Sequence, residues 1–425
     1  MLPLFSFTKE DSELIKGQSQ RDPLGTQVVA SAMGRHIVPH LTEQTNSILG
    51  FQLLISVFFF YQKYLTRVDS KFDEMREGIT RRNVLQTFSL ENVFILMEQA
   101  FAFSYYASKD DWPLNGKRQV IAFRQTPRLS LKRQILSSQL STGIWGYYRG
   151  AAMRSGLINE TGRHLSEALA NAMEEDELHK LLARKKLFDL ITEALLNDGV
   201  DFPYRPSDSL IRDFSSILIV LPQKKILRQY LMVPQNNILV QPLAEFALSH
   251  RLYDEDNAYW RKFFGFCQKE FPSDSEHFKN IIRCTDYVGS LDWLFEWLMS
   301  FNNESITTAA KACPFKIEAL QRAKSEFGQI STFPQSTAAI RAKIFLNDIR
   351  LDSAKSLISD LIAVHAKIAE SRGALKWVRI SDSGKIVVEV KPFRKQNDLP
   401  DVSPGKGWRY DYYLTPLMNI CKGLR

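Results

Sequence analysis

The chain has 425 residues and a formal net charge of +8, with 44% hydrophobic and 24% charged residues; this is the balance of a folded globular protein and excludes a disordered or fibrous one. At the usual ~100–200 residues per domain, that length holds roughly two to four domains. The cysteines Cys267, Cys284, Cys313 and Cys421 stand far apart with no CxxC pair, which excludes a zinc ribbon and a disulfide scaffold and points to a reducing, cytoplasmic setting.

Met1 to Glu10 lacks a cationic stretch followed by a long apolar one, so no secretory signal is expected. Beyond Asp22-Pro23, the positions Val28, Val29, Met33 and Ile37 recur at helical spacing until Pro39 interrupts them. His36 and His40 sit four apart, the spacing of a metal pair on a helix. Pro39 breaks that turn and no third ligand is near, so no metal site is expected. The run from Ile48 to Tyr61 is shorter than the ~20 residues of a membrane span and carries Gln52 and Ser56. It reads as a buried core helix, and no membrane partner follows. "SLENVFILMEQAFAFSYYAS" is the next helix, with Ser89 its N-cap.

The charge is concentrated in what comes next. Lys117, Arg118, Arg124, Arg128, Lys132, Arg133, Arg149, Arg154 and Arg163 face one acid, Glu160, so residues 117–163 hold the whole net charge of the chain. Such an excess is the footprint of a polyanion, double-stranded DNA first, or of an acidic protein. The order of elements fits a winged-helix-like module. "SLKRQILSSQL" supplies one helix and "TGIWGYYRGAAMRSG" a second that ends at Gly156. "LINETGRHLS" then gives a wing-like turn leading to Ser166 as the next N-cap. Ile144, Tyr147, Tyr148, Ala151 and Ala152 share a face. In this reading Arg149 and Arg154 lie exposed and meet phosphates or base edges, Lys132 and Arg133 hold the backbone, and Gly146 and Gly150 let the helix approach another surface closely.

Helical patterning continues to about residue 330, with aromatic stretches such as "SLDWLFEWLMSF" that read as core. Two further helices follow, the first capped by Ser336 or Thr337. His365 falls on the face of the second as a packed or hydrogen-bonded residue. "KWVRISDSGKIVVEVKPF" alternates about Asp382-Ser383-Gly384 as a β-hairpin, and a short helix closes the chain.

The expected fold is mainly α (α+β), with the winged-helix-like module and a small C-terminal hairpin. Its divisions are an N-terminal helical domain at 1–116, the basic module at 117–200, an aromatic-rich helical domain at 201–332, and a helical pair with hairpin and tail at 333–425. One arrangement points to an enzyme. Asp382 with Glu389 and Lys391 resembles the D…ExK set of Mg²⁺-dependent nucleases, although Asp-Ser-Gly has an adequate reason as a turn. There is no phosphate loop, HExxH or GxSxG, so neither a catalytic residue nor a cofactor is assigned.

"RDPLGTQVVASAMGRHIVPHLTEQTNSILGFQLLISVFFFYQKYL", "GIWGYYRGAAMRSGLI" and the closing "WVRISDSGKIVVEVK…WRYDYYLTPL" together resemble an uncharacterised bacterial protein family of anti-phage defence gene clusters, found beside helicases and nucleases. The resemblance implies a non-catalytic accessory subunit working with an ATPase, helicase or nuclease made by another gene. A protein-interaction scaffold or SMC-type accessory subunit is the alternative.

Overall fold

The computed structural model describes residues 22–62, 89–109, 111–174, 185–196, 202–205, 221–250, 257–333, 335–390 and 404–425. They are mainly helical with two small antiparallel two-stranded sheets. In chain order the elements run α1 (Thr26–Ile37), α2 (Ile48–Phe60), α3 (Leu90–Lys109), α4 (Lys117–Phe123), β1 (Arg128–Leu129), α5 (Gln139–Thr142), α6 (Ile144–Ser155), α7 (Glu167–Glu174), α8 (Lys185–Leu196), β2 (Phe202–Pro203), α9 (Leu221–Met232) and α10 (Val240–Ser249). There follow α11 (Asn257–Glu270), α12 (Ser275–Cys284), α13 (Ser290–Leu298), α14 (Ile306–Lys311), α15 (Ile317–Phe327), α16 (Ser336–Asp348), α17 (Ala354–Ser371), β3 (Val378–Ile380), β4 (Ile386–Val388) and α18 (Leu414–Leu424).

These elements form two compact units. One joins the described residues up to Ile37 with Ala247–Tyr412; the other comprises Val38–Phe246 with Tyr413–Arg425. The first unit therefore takes α1 from one end of the sequence and packs it on α12 and α16. Val29, Met33 and Ile37 are its buried face, as the spacing predicts. Between α12 and α13 a π turn, Thr285–Gly289, carries the chain on. Its Asp286 accepts hydrogen bonds from Arg261 and, at 2.9 Å, from the Gly405 backbone N–H. Thr285 shares a 2.6 Å hydrogen bond with the Tyr412 hydroxyl. Arg409 lies between Asp292 (2.6 Å) and Glu296 (3.0 Å), over the Trp293 ring. The segment before α18 is thus attached by charge as well as by the stacking of Trp408 on Phe264.

His365 is a packed residue, as expected from sequence. Its Nε2 accepts from the Trp377 backbone N–H at 2.8 Å and its Nδ1 lies 2.9 Å from the Pro23 carbonyl. That pair of partners fixes the neutral ring with the proton on Nδ1, and burial pushes its pKa down. The hairpin forms with Ile380 opposite Ile386, and Gly384 takes the left-handed conformation that its turn requires. The cap of α16 differs from expectation. Gln335 is the flanking residue and makes no side-chain cap hydrogen bond, while Ser336 and Thr337 already lie inside the first turn.

In the second unit α2 is buried on every side from Leu49 to Phe60. At about 1.5–3 kcal/mol for each large apolar side chain buried, it contributes heavily to the stability of that core. It packs against α3 and α6. Ser89 caps α3, its hydroxyl accepting from the Asn92 backbone N–H at 3.2 Å. Among the described residues no helix is long and apolar enough to cross a membrane. The four cysteines are free, with Cys267, Cys284 and Cys421 buried.

Gly50 is where α6 presses on α2. A Cβ there would fall 2.1 Å from the Tyr148 ring, and Tyr148 is held edge-on against Phe51. Gly50→Ala is expected to destabilise the second unit by at least ~1–3 kcal/mol, the usual range for overpacking. Comparison of thermal midpoints for the wild type and the variant checks this.

Candidate functional site

The basic stretch is not built as the sequence suggests. Residues 131–137 form bends and turns, and helix resumes only at α5, so the first helix expected from "SLKRQILSSQL" is absent. The reason lies in competing hydrogen bonds. The Ser130 backbone N–H donates to Gln99 Oε1 at 2.7 Å, and the Ser130 hydroxyl accepts from the N–H groups of Lys132 and Arg133. Gln134 accepts from the Gln139 N–H at 2.7 Å. Side chains that capture backbone donors in this way hold a turn against helix formation.

The second helix does form, as α6, with Gly156 left-handed at its end. The wing-like turn is a single antiparallel bridge, Ile158 to Leu165, with Asn159 accepting from the Gly162 N–H across its tip. Ser166 precedes α7, but its hydroxyl donates to Tyr230. Helix, bridge and turn are present, but before them stands only the single turn of α5 in place of the longer helix that a winged-helix module requires.

Arg149 and Arg154 are not exposed readers of a groove. Arg149 donates to the carbonyls of Gly162 and Thr161 at 2.8 and 3.1 Å, with its guanidinium 4.8 Å from the centre of the Trp145 ring. Arg154 donates twice to the His40 carbonyl, at 3.2 and 2.9 Å. Both arginines are half-buried. Gly146 serves internal packing as well, since a Cβ there would fall 2.0 Å from the Ser141 carbonyl oxygen. Trp145 packs on Phe58 and Phe94.

The other seven cations, Lys117, Arg118, Arg124, Arg128, Lys132, Arg133 and Arg163, are exposed. Lys117 pairs with Asp111 at 2.5 Å, and Arg124 donates to the Tyr106 hydroxyl at 3.3 Å. Six of the seven lie in the continuous stretch 117–133, which includes no acid. α4, the short β1–β2 ladder and the turns after it carry that stretch along the second unit.

One residue with chemical potential was not singled out from the sequence. Glu98 sits mid-way along α3 and is buried. Gln139 Nε2 donates to its Oε2 at 2.9 Å, and the Ile144 backbone N–H, at the start of α6, donates to its Oε1 at 3.1 Å. These donors favour the carboxylate, yet burial outweighs them and pushes the pKa up to about 7. A cavity of about 120 Å³ adjoins it, lined also by Gln44, Asn46, Leu114, Asn115, Tyr147 and Tyr148. The Tyr148 hydroxyl is buried there with the Ser47 backbone beside it and no well-formed hydrogen bond. The signal in the sequence was the Glu98-Gln99 pair inside the apolar run "VFILMEQAFAF". Polar residues on so apolar a helix need buried partners.

The hairpin does not gather the nuclease set. Asp382 is exposed in the turn, whereas Glu389 lies beyond the far end of β4, its N–H donating to the Trp377 carbonyl and its carboxylate paired with Arg379 at 2.7 Å. Lys391 lies outside the described residues. Among the described residues no group of three or more His, Cys, Asp or Glu could hold a metal. No family of known proteins, curated protein or solved structure matches the chain.

Glu98 gives a signed pH dependence. Its folded-state pKa lies above the ordinary 4.5, so its contribution to stability is complete below pH ~4.5 and is lost as pH rises through about 7. The loss is on the order of 3 kcal/mol. Thermal melts between these pH values should show a fall for the wild type that is smaller in Glu98→Gln.

Proposed function

We propose that the protein is a non-catalytic DNA-contacting accessory subunit whose second unit holds the phosphate backbone through the exposed basic stretch beginning at Lys117. The observation that carries this reading is the division among the nine cations of 117–163. Arg149 and Arg154 are half-buried on backbone carbonyls, while the other seven are exposed, Lys117 beside Asp111 and Arg124 beside the Tyr106 hydroxyl. Exposed lysines and arginines spread over a short helix, a two-residue strand and turns neutralise phosphates and release counterions. Binding of this kind is weakly selective for sequence and strongly dependent on salt. The resemblance to proteins of bacterial defence clusters supplies the setting: an enzyme made by another gene acts on the DNA that this chain contacts.

Docking of that partner has its own candidate surface. Ile238 is 81% exposed and Val233 is exposed nearby in sequence, on either side of a short 3₁₀ turn in the second unit. A scaffold that contacts an ATPase or nuclease through this stretch is the second reading.

Titration of a labelled duplex across about 50–300 mM salt tests the first reading. Replacing Arg118, Arg124, Lys132 and Arg133 by Ala should lower the slope of log affinity on log salt by up to about 1 for each phosphate that is no longer neutralised. Arg154→Ala should instead lower the thermal midpoint with the salt slope retained. An unchanged slope in the fourfold variant, or no binding at the lowest salt, overturns the proposal.

A further inference from the structure

The cavity beside Glu98 has a fixed polar floor and a mainly polar lining with a smaller apolar share. Its floor is a buried carboxyl group carried by a long helix and held by two donors, Gln139 and the Ile144 backbone. Gly143 also contributes to the closeness of the floor, since a Cβ there would fall 2.6 Å from a Glu98 carboxyl oxygen. Gln44, Asn46 and Asn115 line it, the Asn115 amide donating to the Thr142 carbonyl at 3.2 Å, together with Pro113, Leu114, Ile144 and Tyr147. The Tyr148 hydroxyl, buried in the same lining without a well-formed hydrogen bond, offers one more polar group.

The volume of about 120 Å³ exceeds the ~10–15 Å³ that a single water needs and falls short of the ~300 Å³ of a drug-sized pocket. A small flat heterocycle fits between those limits. The polar groups narrow the class further. A carboxyl oxygen accepts from an exocyclic amine, and asparagine and glutamine amides pair with the donor–acceptor edge of adenine or cytosine. Pro113, Leu114, Ile144 and Tyr147 supply the smaller, apolar share of the lining, against which a base's face can lie. Asn115 also lies two residues before Lys117, with only the left-handed Gly116 between them. The chain therefore passes directly from the rim of the cavity into the basic stretch.

We infer that this cavity binds an amino-bearing nucleobase, adenine or cytosine, with Glu98 accepting from the exocyclic amine and the attached sugar-phosphate directed to the basic stretch at Lys117. The phosphate part rests on the DNA-contact reading above; recognition of the base does not. The base can come from a free nucleotide or from an unpaired position in a strand.

Matched nucleosides test the inference on the full-length chain by calorimetry: cytidine against uridine, and adenosine against inosine, each pair exchanging an amine for an oxygen. In at least one pair the amine-bearing member should bind about tenfold more tightly, and Glu98→Gln should remove that preference. Asn46→Ala, an exposed rim change, should weaken the preferred nucleoside by about fivefold with an unchanged thermal midpoint, so the test stands even where Glu98→Gln fails to fold. Lys132→Ala/Arg133→Ala should leave nucleoside binding intact, because a nucleoside has no phosphate; a failure of the DNA-contact reading is thereby separable. Competition by a duplex with an unpaired cytosine or adenine, but not by a fully paired one, would assign the base to a strand. Nucleoside binding without that competition would overturn the strand source and retain the free nucleotide. Absence of binding by all four nucleosides, equal binding within both pairs, or a preference that survives Glu98→Gln or is untouched by Asn46→Ala would overturn the inference.

Discussion

The second unit depends on two adjacent polar residues, Glu98 and Gln99, in the middle of an apolar helix. Gln99 exchanges two hydrogen bonds with the backbone of Ser130, and Gln139 reaches from the other side to the Ile95 carbonyl and to Glu98. Glu98 in turn receives the first N–H of α6. A stretch without regular structure is thereby fixed at both ends to α3. Unmade, each buried polar group would cost about 1–3 kcal/mol, so the network specifies one path for the chain.

That path determines which charges are available. Once Ser130 and Gln134 have captured the backbone donors of the following turns, Lys132 and Arg133 are carried out into solvent. The same fold turns Arg149 and Arg154 inward, where they replace water at the carbonyls of Thr161, Gly162 and His40. Net charge is a property of the composition, whereas usable charge is a property of the hydrogen-bond pattern. The difference matters for a polyanion, which responds only to cations it can reach.

The first unit uses charge differently. Asp286, Asp292 and Glu296 on one continuous helical run receive Arg261, Arg409 and a backbone N–H of the segment that precedes α18. Ion pairs shielded from water are costly to break singly, because removal of one partner leaves the other uncompensated. They fasten a segment that has little regular structure of its own.

The sequence by itself determined the periodic elements. The apolar spacing of α1, the continuous burial of α2, the Ser89 cap and the Asp-Ser-Gly hairpin were all legible, because each depends on neighbours a few residues away. The mainly helical class was legible for the same reason. Only the tertiary structure decided that "SLKRQILSSQL" would not be a helix, since its competitors include Gln99, thirty-one residues before Ser130. It also decided that Arg149 and Arg154 would face carbonyls, and that Glu98 would meet the start of α6 beside a cavity. Those outcomes rest on partners distant in sequence, for which local periodicity carries no information.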